Sequence, residues 1–143
     1  MELLDRNISL KRFALDGERP ARVLVVDDRE STRLLLAHIV SQHPNTRVAL
    51  AGTCEQALQL AAVTTYDLIL LDLMMPGIGG FEVLRRLRVG STNRWTPVVV
   101  VSALDNHESR LRCKALGANG FVAKPIARAD IVAALRAHSA QAH

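Results

Sequence analysis

The chain has 143 residues, which suits one domain with a single core and a short extension. Hydrophobic residues make up 49% and charged residues 22%, the balance of a soluble globular protein, and no apolar run approaches the roughly 18–20 residues of a membrane span. The net charge is +4, but the 18 basic residues are scattered apart from small groups at Arg85, Arg86, Arg88 and Arg110, Arg112, Lys114, and one Trp and one Tyr offer no stacking platform, so direct nucleic-acid binding is not expected.

Glu2, Asp5 and Arg6 interrupt the first apolar residues, which argues against a secretory signal. Leu3, Leu4, Ile8 and Leu15 mark one side of a short helix, and Gly17 and Pro20 end it, so residues 1–19 read as an extension, helical or disordered. A domain is expected over residues 20–139. "RVLVVDD" (22–28) is a β-branched run ending in acid. "STRLLLAHIVSQH" (31–43) has helical periodicity, with Ser31 as its expected cap and Pro44 beyond its end. "TRVALAG" (46–52) is a second strand, and Thr53 with Gln56 forms a capping-box pattern before the helix "EQALQLAAV". "YDLILLD" (66–72) is the third strand, "GFEVLRRLR" (80–88) the third helix, and "VVVVSA" after Pro97 the fourth strand. "NHESRLRCKALGA" (106–118) is the fourth helix, with Gly117 near its stop. "GFVAK" (120–124) is the fifth strand and residues 127–138 the fifth helix. Residues 140–143 are expected to fray.

Strand and helix thus alternate five times, and the strands are continuously apolar, the mark of burial on both faces. The fold class is α/β, a doubly wound five-stranded parallel sheet. Cys54 and Cys113 show neither metal spacing nor CxxC, which fits two helix thiols in a reducing cytoplasm, and the five histidines have no ligand spacing.

In such a sheet ligands sit beyond the carboxyl ends of the strands. Strand one ends in Asp27-Asp28, strand three in Asp72, strand four in Ser102 and strand five in Lys124-Pro125. Read singly, Asp27 and Asp28 are helix-capping acids, Asp72 a turn residue before Pro76-Gly77, and Lys124 a surface lysine. Brought to one edge, three carboxylates repel and need cations. Lys124 supplies one charge, and a hard oxygen-loving ion supplies more; Mg²⁺ suits that donor set and binds phosphate oxygens. A carboxylate beside Mg²⁺ and lysine is a nucleophile toward phosphorus, giving an aspartyl phosphate, with Ser102 and Lys124 each meeting a phosphoryl oxygen.

The acid pair Asp27-Asp28, "DLMMPGIGG" from Asp72 with Pro76 and Gly80 following, Ser102-Ala103 and Lys124-Pro125 together resemble the receiver domain of two-component response regulators, over residues 21 to about 138. The resemblance implies the (βα)5 flavodoxin-like fold with strand order 2-1-3-4-5. It implies that Asp72 accepts a phosphoryl group from a histidine kinase or phosphotransfer protein. Asp28 would ligate Mg²⁺ directly, Asp27 nearby or through water, and Met74 through its main-chain carbonyl. It further implies catalytic roles for Ser102 and Lys124, a cis Lys124-Pro125 bond, and Phe121 as a switch aromatic moving with Ser102. The output surface would be the fourth helix, fifth strand and fifth helix, where Arg110, Arg112, Lys114, Arg128 and Arg136 would pair across a homodimer or meet an acidic partner. Gly79 stands where the family often has an acid, and Gly79-Gly80 is expected to loosen the start of the third helix. A phosphatase-type hydrolase is disfavoured, because Met74 occupies the place of its second acid. The alternative reading is a phosphorylation-independent interaction domain of the same fold.

Overall fold

Five apolar runs lie side by side as one parallel sheet, in a computed structural model that describes residues 3–4, 7–8 and 19–138. In chain order the elements are β1 (Ala21–Val26), α1 (Glu30–Ser41), β2 (Thr46–Ala51), α2 (Cys54–Val63), β3 (Leu68–Leu71), α3 (Gly80–Arg88), β4 (Val98–Ser102), α4 (His107–Ala115), β5 (Gly120–Ala123) and α5 (Arg128–Ala137). The strand order is β2-β1-β3-β4-β5, as expected. Val23 faces Val48 on one side and Leu68 on the other, so β1 lies inside the sheet with a hydrogen-bonded neighbour on each flank.

The pleat sends alternate side chains to opposite faces. Val23 and Val25 join Leu68, Leu70, Val99 and Val101 under α1 and α5, with Leu36, Ile39, Ile131 and Leu135 packed on them. Leu24 and Val26 join Ile69, Leu71 and Val98 under α2 and α3, with Ala57, Val83, Leu84 and Leu87. Burial on both faces is complete for β3 and β4 and for most of β1, whereas the edge strands β2 and β5 are mostly half-buried, each lacking a neighbour on one flank.

Local signals set most boundaries. Thr53 Oγ1 accepts from Gln56 N–H at 3.0 Å and Gln56 Oε1 accepts from Gly52 N–H at 2.9 Å, closing the start of α2. Asn106 caps α4 by accepting from Ser109 N–H at 2.8 Å. One expectation fails. Ser31 does not cap α1; the helix starts a residue earlier, at Glu30, and Arg29 holds the capping position without a side-chain bond. The preceding Asp27 accepts from Arg29 N–H instead, at 2.9 Å, and so tightens the entry to the helix.

Leu3–Leu4 pairs antiparallel with Asn7–Ile8 where a helical or disordered extension was expected. The other residues of 1–18, and the tail expected to fray at 140–143, lie outside the described residues. Among the described residues no helix is long and apolar enough to cross a membrane.

Candidate functional site

Three strands deliver charge to one edge, and the structure decides how it is shared. Asp27 follows β1 and is 1% exposed; Asp72 follows β3 and is 4% exposed. Lys124 follows β5, and its ammonium donates to Asp27 Oδ2 at 2.7 Å and to Asp72 Oδ2 at 3.2 Å. The second oxygen of each acid is also engaged, Asp27 Oδ1 by Arg29 N–H and Asp72 Oδ1 by Met74 N–H at 3.1 Å. Both buried carboxylates are therefore hydrogen-bonded and paired, the condition for keeping such charges out of water. Burial by itself would lower the Lys124 pKa, but the hydrogen bond to Asp27 and the charges of both acids outweigh it, and the net shift is upward.

Asp28 is different. It is exposed, and it faces Asp72, Met74, Lys124, Thr32 and Ala103 across an open pocket of about 420 Å³. One oxygen from each of Asp27, Asp28 and Asp72 lies within 4.8 Å of the others. Three acids against Lys124 and Arg29, which also lines the pocket, leave an excess of negative charge, and all three acids offer hard oxygen donors. The residues present thus fit a small divalent cation.

Ser102 and Phe121 stand apart from this pocket. Ser102 is buried at the end of β4, with its hydroxyl accepting from Leu104 N–H at 3.1 Å; the pocket wall is its neighbour Ala103. Phe121 is half-buried beside the small cluster of Leu73, Val100 and Cys113. The Arg110 guanidinium lies 4.3 Å from its ring centroid and is ion-paired with Asp105 at 2.5 Å. The Lys124-Pro125 peptide bond is cis.

The two glycines after the Pro76 turn have distinct uses. Gly79 holds φ +85° at the head of α3, a conformation that favours glycine. A Cβ on Gly80 would stand 2.3 Å from the Asp72 carbonyl oxygen and 2.5 Å from Leu73 Cα. The first turn of α3 is thus pressed against the backbone that carries Asp72, and the pair fits a close approach instead of merely loosening the helix. Gly80→Ala is expected to cost about 1–3 kcal/mol in urea unfolding, since both atoms it meets are main chain and cannot rotate away. An alanine variant as stable as the native chain would show that this contact yields freely.

Several supporting residues carry no motif. Thr32, in the first turn of α1, lines the pocket, and Arg33 donates to the Asp27 carbonyl at 2.8 Å. The basic group on α3 divides in two. Arg85 and Arg86 pair with Glu82, whose carboxyl is held down to about 2 by their hydrogen bonds. Arg88 turns inward and donates to the carbonyls of Asn93, Arg94, Thr96 and Gly117 and to Asn119 Oδ1, and burial lowers its pKa. Cys54 and Cys113 are buried, unbridged thiols whose pKa values burial raises.

The family model described as response regulator receiver domain matches residues 23–136. Response regulator PleD of Caulobacter vibrioides is 44% identical over 107 residues, 74% of this chain and 23% of that protein. Sensory/regulatory protein RpfC of Xanthomonas campestris is 38% identical over 116 residues, 80% of this chain and 16% of that protein. The chain thus spans less than a quarter of the length of either curated relative. Chemotaxis response regulator CheY4 of Vibrio cholerae superposes with a TM-score of 0.76 at 30% identity, over 82% of this chain and 98% of that one.

Proposed function

The chain belongs to the response regulator receiver domain family of two-component systems, and from that premise we propose that it is a phosphoacceptor switch whose phosphorylated residue is Asp72. The observation that carries this reading is the Lys124 ammonium held between Asp27 and Asp72, with Asp28 across an open pocket. A histidine kinase or a phosphotransfer protein is the donor in this reading, and the chain acts on itself and on no separate substrate, within the cytoplasm.

An Asp72 carboxylate oxygen forms a bond to phosphorus as the bond from phosphorus to the donor's leaving group breaks, and the product is a mixed anhydride. Asp28, Asp72 and the Met74 carbonyl, with Asp27 nearby or through water, would hold Mg²⁺, which would screen the carboxylates and draw charge from the phosphoryl oxygens. Lys124 is already in reach of Asp72 and pairs with one phosphoryl oxygen. Ser102 meets another after its hydroxyl leaves Leu104 N–H. Phe121 follows Ser102 through the β4–α4 loop and alters the surface of α4, β5 and α5. That surface, rich in Arg110, Arg112, Lys114, Arg128 and Arg136, meets a second copy or an acidic partner.

Incubation with acetyl phosphate and Mg²⁺, read by intact mass, is expected to add one phosphoryl group to the native chain. Asp72→Asn or chelation of Mg²⁺ is expected to abolish the addition. No addition to a folded chain would favour the phosphorylation-independent interaction domain instead.

A further inference from the structure

The acidic pocket holds one charge that the phosphoacceptor chemistry leaves unused. Arg29 lies in its wall with Asp28, Asp72, Met74 and Lys124. The main chain of Arg29 is pinned on both sides: its N–H donates to Asp27 Oδ1 at 2.9 Å, and its carbonyl accepts from Arg33 N–H at 3.0 Å. The residue is exposed, and among the described residues its guanidinium has no hydrogen bond, ion pair or ring contact.

That isolation is informative in a site with three carboxylates. Both oxygens of Asp27 and of Asp72 already accept from Lys124 or from a backbone N–H. The adjacent acid, Asp28, makes no ion pair with Arg29. The acids therefore do not consume the guanidinium. Its five N–H groups form a planar fork, the shape that meets phosphoryl oxygens two at a time. Arg29 also sets the charge that an incoming anion meets. Three carboxylates against two cations leave one negative charge in the pocket. With a divalent cation held by the acids, the balance would be one positive charge. Without Arg29 it would be zero, and a dianion would find no net attraction.

We infer that Arg29 binds the phosphodonor: its guanidinium takes phosphoryl oxygens of a small dianionic acyl phosphate at the open pocket and holds them for transfer. The inference rests on Asp72 as the phosphoacceptor. An Asp72 oxygen bonds to phosphorus as the bond from phosphorus to the acyl oxygen breaks, and a carboxylate leaves with that electron pair. Arg29 supplies position and charge and gives up no proton. The same charge repels a divalent cation, so Arg29 favours the phosphodonor and opposes the metal.

The full chain is incubated with acetyl phosphate and Mg²⁺ at low salt, and the initial rate of phosphoryl addition is read by intact mass. Arg29→Gln is expected to lower the second-order rate constant roughly five-fold. Arg29→Lys, which keeps the charge, is expected to stay within about two-fold of the native value. The gap between the Gln variant and the native chain should close as salt is raised to about 0.5 M. Calorimetric titration with Mg²⁺ gives a reading apart from phosphorylation: Arg29→Gln is expected to bind the cation roughly three-fold more tightly than the native chain. The Arg29 side chain holds no other described residue, so both variants should keep the native circular dichroism. A Gln variant labelled as fast as the native chain at low salt would overturn the inference and leave Asp72 in its role. A Lys variant as slow as the Gln variant would do the same. A folded native chain that takes up no phosphoryl group would instead remove the phosphoacceptor reading, and this inference would fall with it.

Discussion

Urea unfolding at pH 7 in the presence of EDTA is expected to find Lys124→Met less stable than the native chain by about 3 kcal/mol. The substitution keeps the apolar stem and removes the charge that serves both Asp27 and Asp72. Each acid would keep one backbone N–H but would face the other without a cation between them. The cost is placed at the lower end for a broken buried pair because the Lys124 side chain is 18% exposed, so water relieves part of it. The pH dependence has a definite sign. Burial opposes the Lys124 charge, yet the Asp27 hydrogen bond and both carboxylate charges raise its pKa in the folded chain. A raised lysine pKa contributes stability that is fully present below the unfolded value of about 10.4 and is lost as the pH climbs through the folded value. The gap between native and variant should therefore hold through neutrality and narrow above about pH 10.4. Equal stability of the two at pH 7 would mean that the ammonium is not the partner of these acids.

The second large effect concerns stability alone and lies far from the pocket. Asn93→Ala is expected to cost about 4 kcal/mol, with the denaturant slope unchanged. Asn93 is fully buried. Its Oδ1 accepts from Tyr66 N–H at 2.8 Å and from the Thr96 hydroxyl at 2.9 Å, and its Nδ2 donates to the carbonyls of Ala61 and Thr64 at 2.7 and 2.8 Å. One amide thus stitches the end of α2, the entry to β3 and the turn before β4. Alanine would take this partner from the Tyr66 N–H and the Thr64 carbonyl, while the Ala61 carbonyl keeps the Thr92 hydroxyl and the Thr96 hydroxyl keeps the Tyr66 carbonyl. Asn93→Asp is expected to be at least as damaging, because it loses both donors and buries a charge. A loss under about 1 kcal/mol for alanine would show that water enters and replaces the amide.

The contrast between Lys124 and Asn93 explains what could be read from the sequence. Asp27, Asp28, Asp72 and Lys124 each interrupt or end an apolar run, so their places follow from strand ends in a parallel sheet, and the structure brings them together. The division of labour within the acid pair was not legible. Which acid is buried depends on where α1 begins, and the Asp27–Arg29 turn moved that start away from Ser31. Asn93 lies in a stretch of mixed polarity with no period, Arg88 ends the third helix among other arginines, and most of their partners are backbone groups, up to 32 residues away. A carbonyl has no sequence signature. Gly80 was visible as a glycine, but its need came only from the 2.3 Å approach of the Asp72 carbonyl, a tertiary distance. Trp95 belongs to no motif, and its exposure follows from its tertiary placement alone.

Lys124 also has a mechanical meaning. β5 is an edge strand whose backbone bonds reach only β4. The ammonium at its end skips β4 and fastens to residues following β1 and β3. It is a tie between the rim of the sheet and its middle, laid across the top of an intervening strand. An ammonium has three N–H bonds and, among the described residues, the two carboxylates take two, which leaves one for a new oxygen. An anion arriving between the acids would pull on the rim without first having to cut it loose.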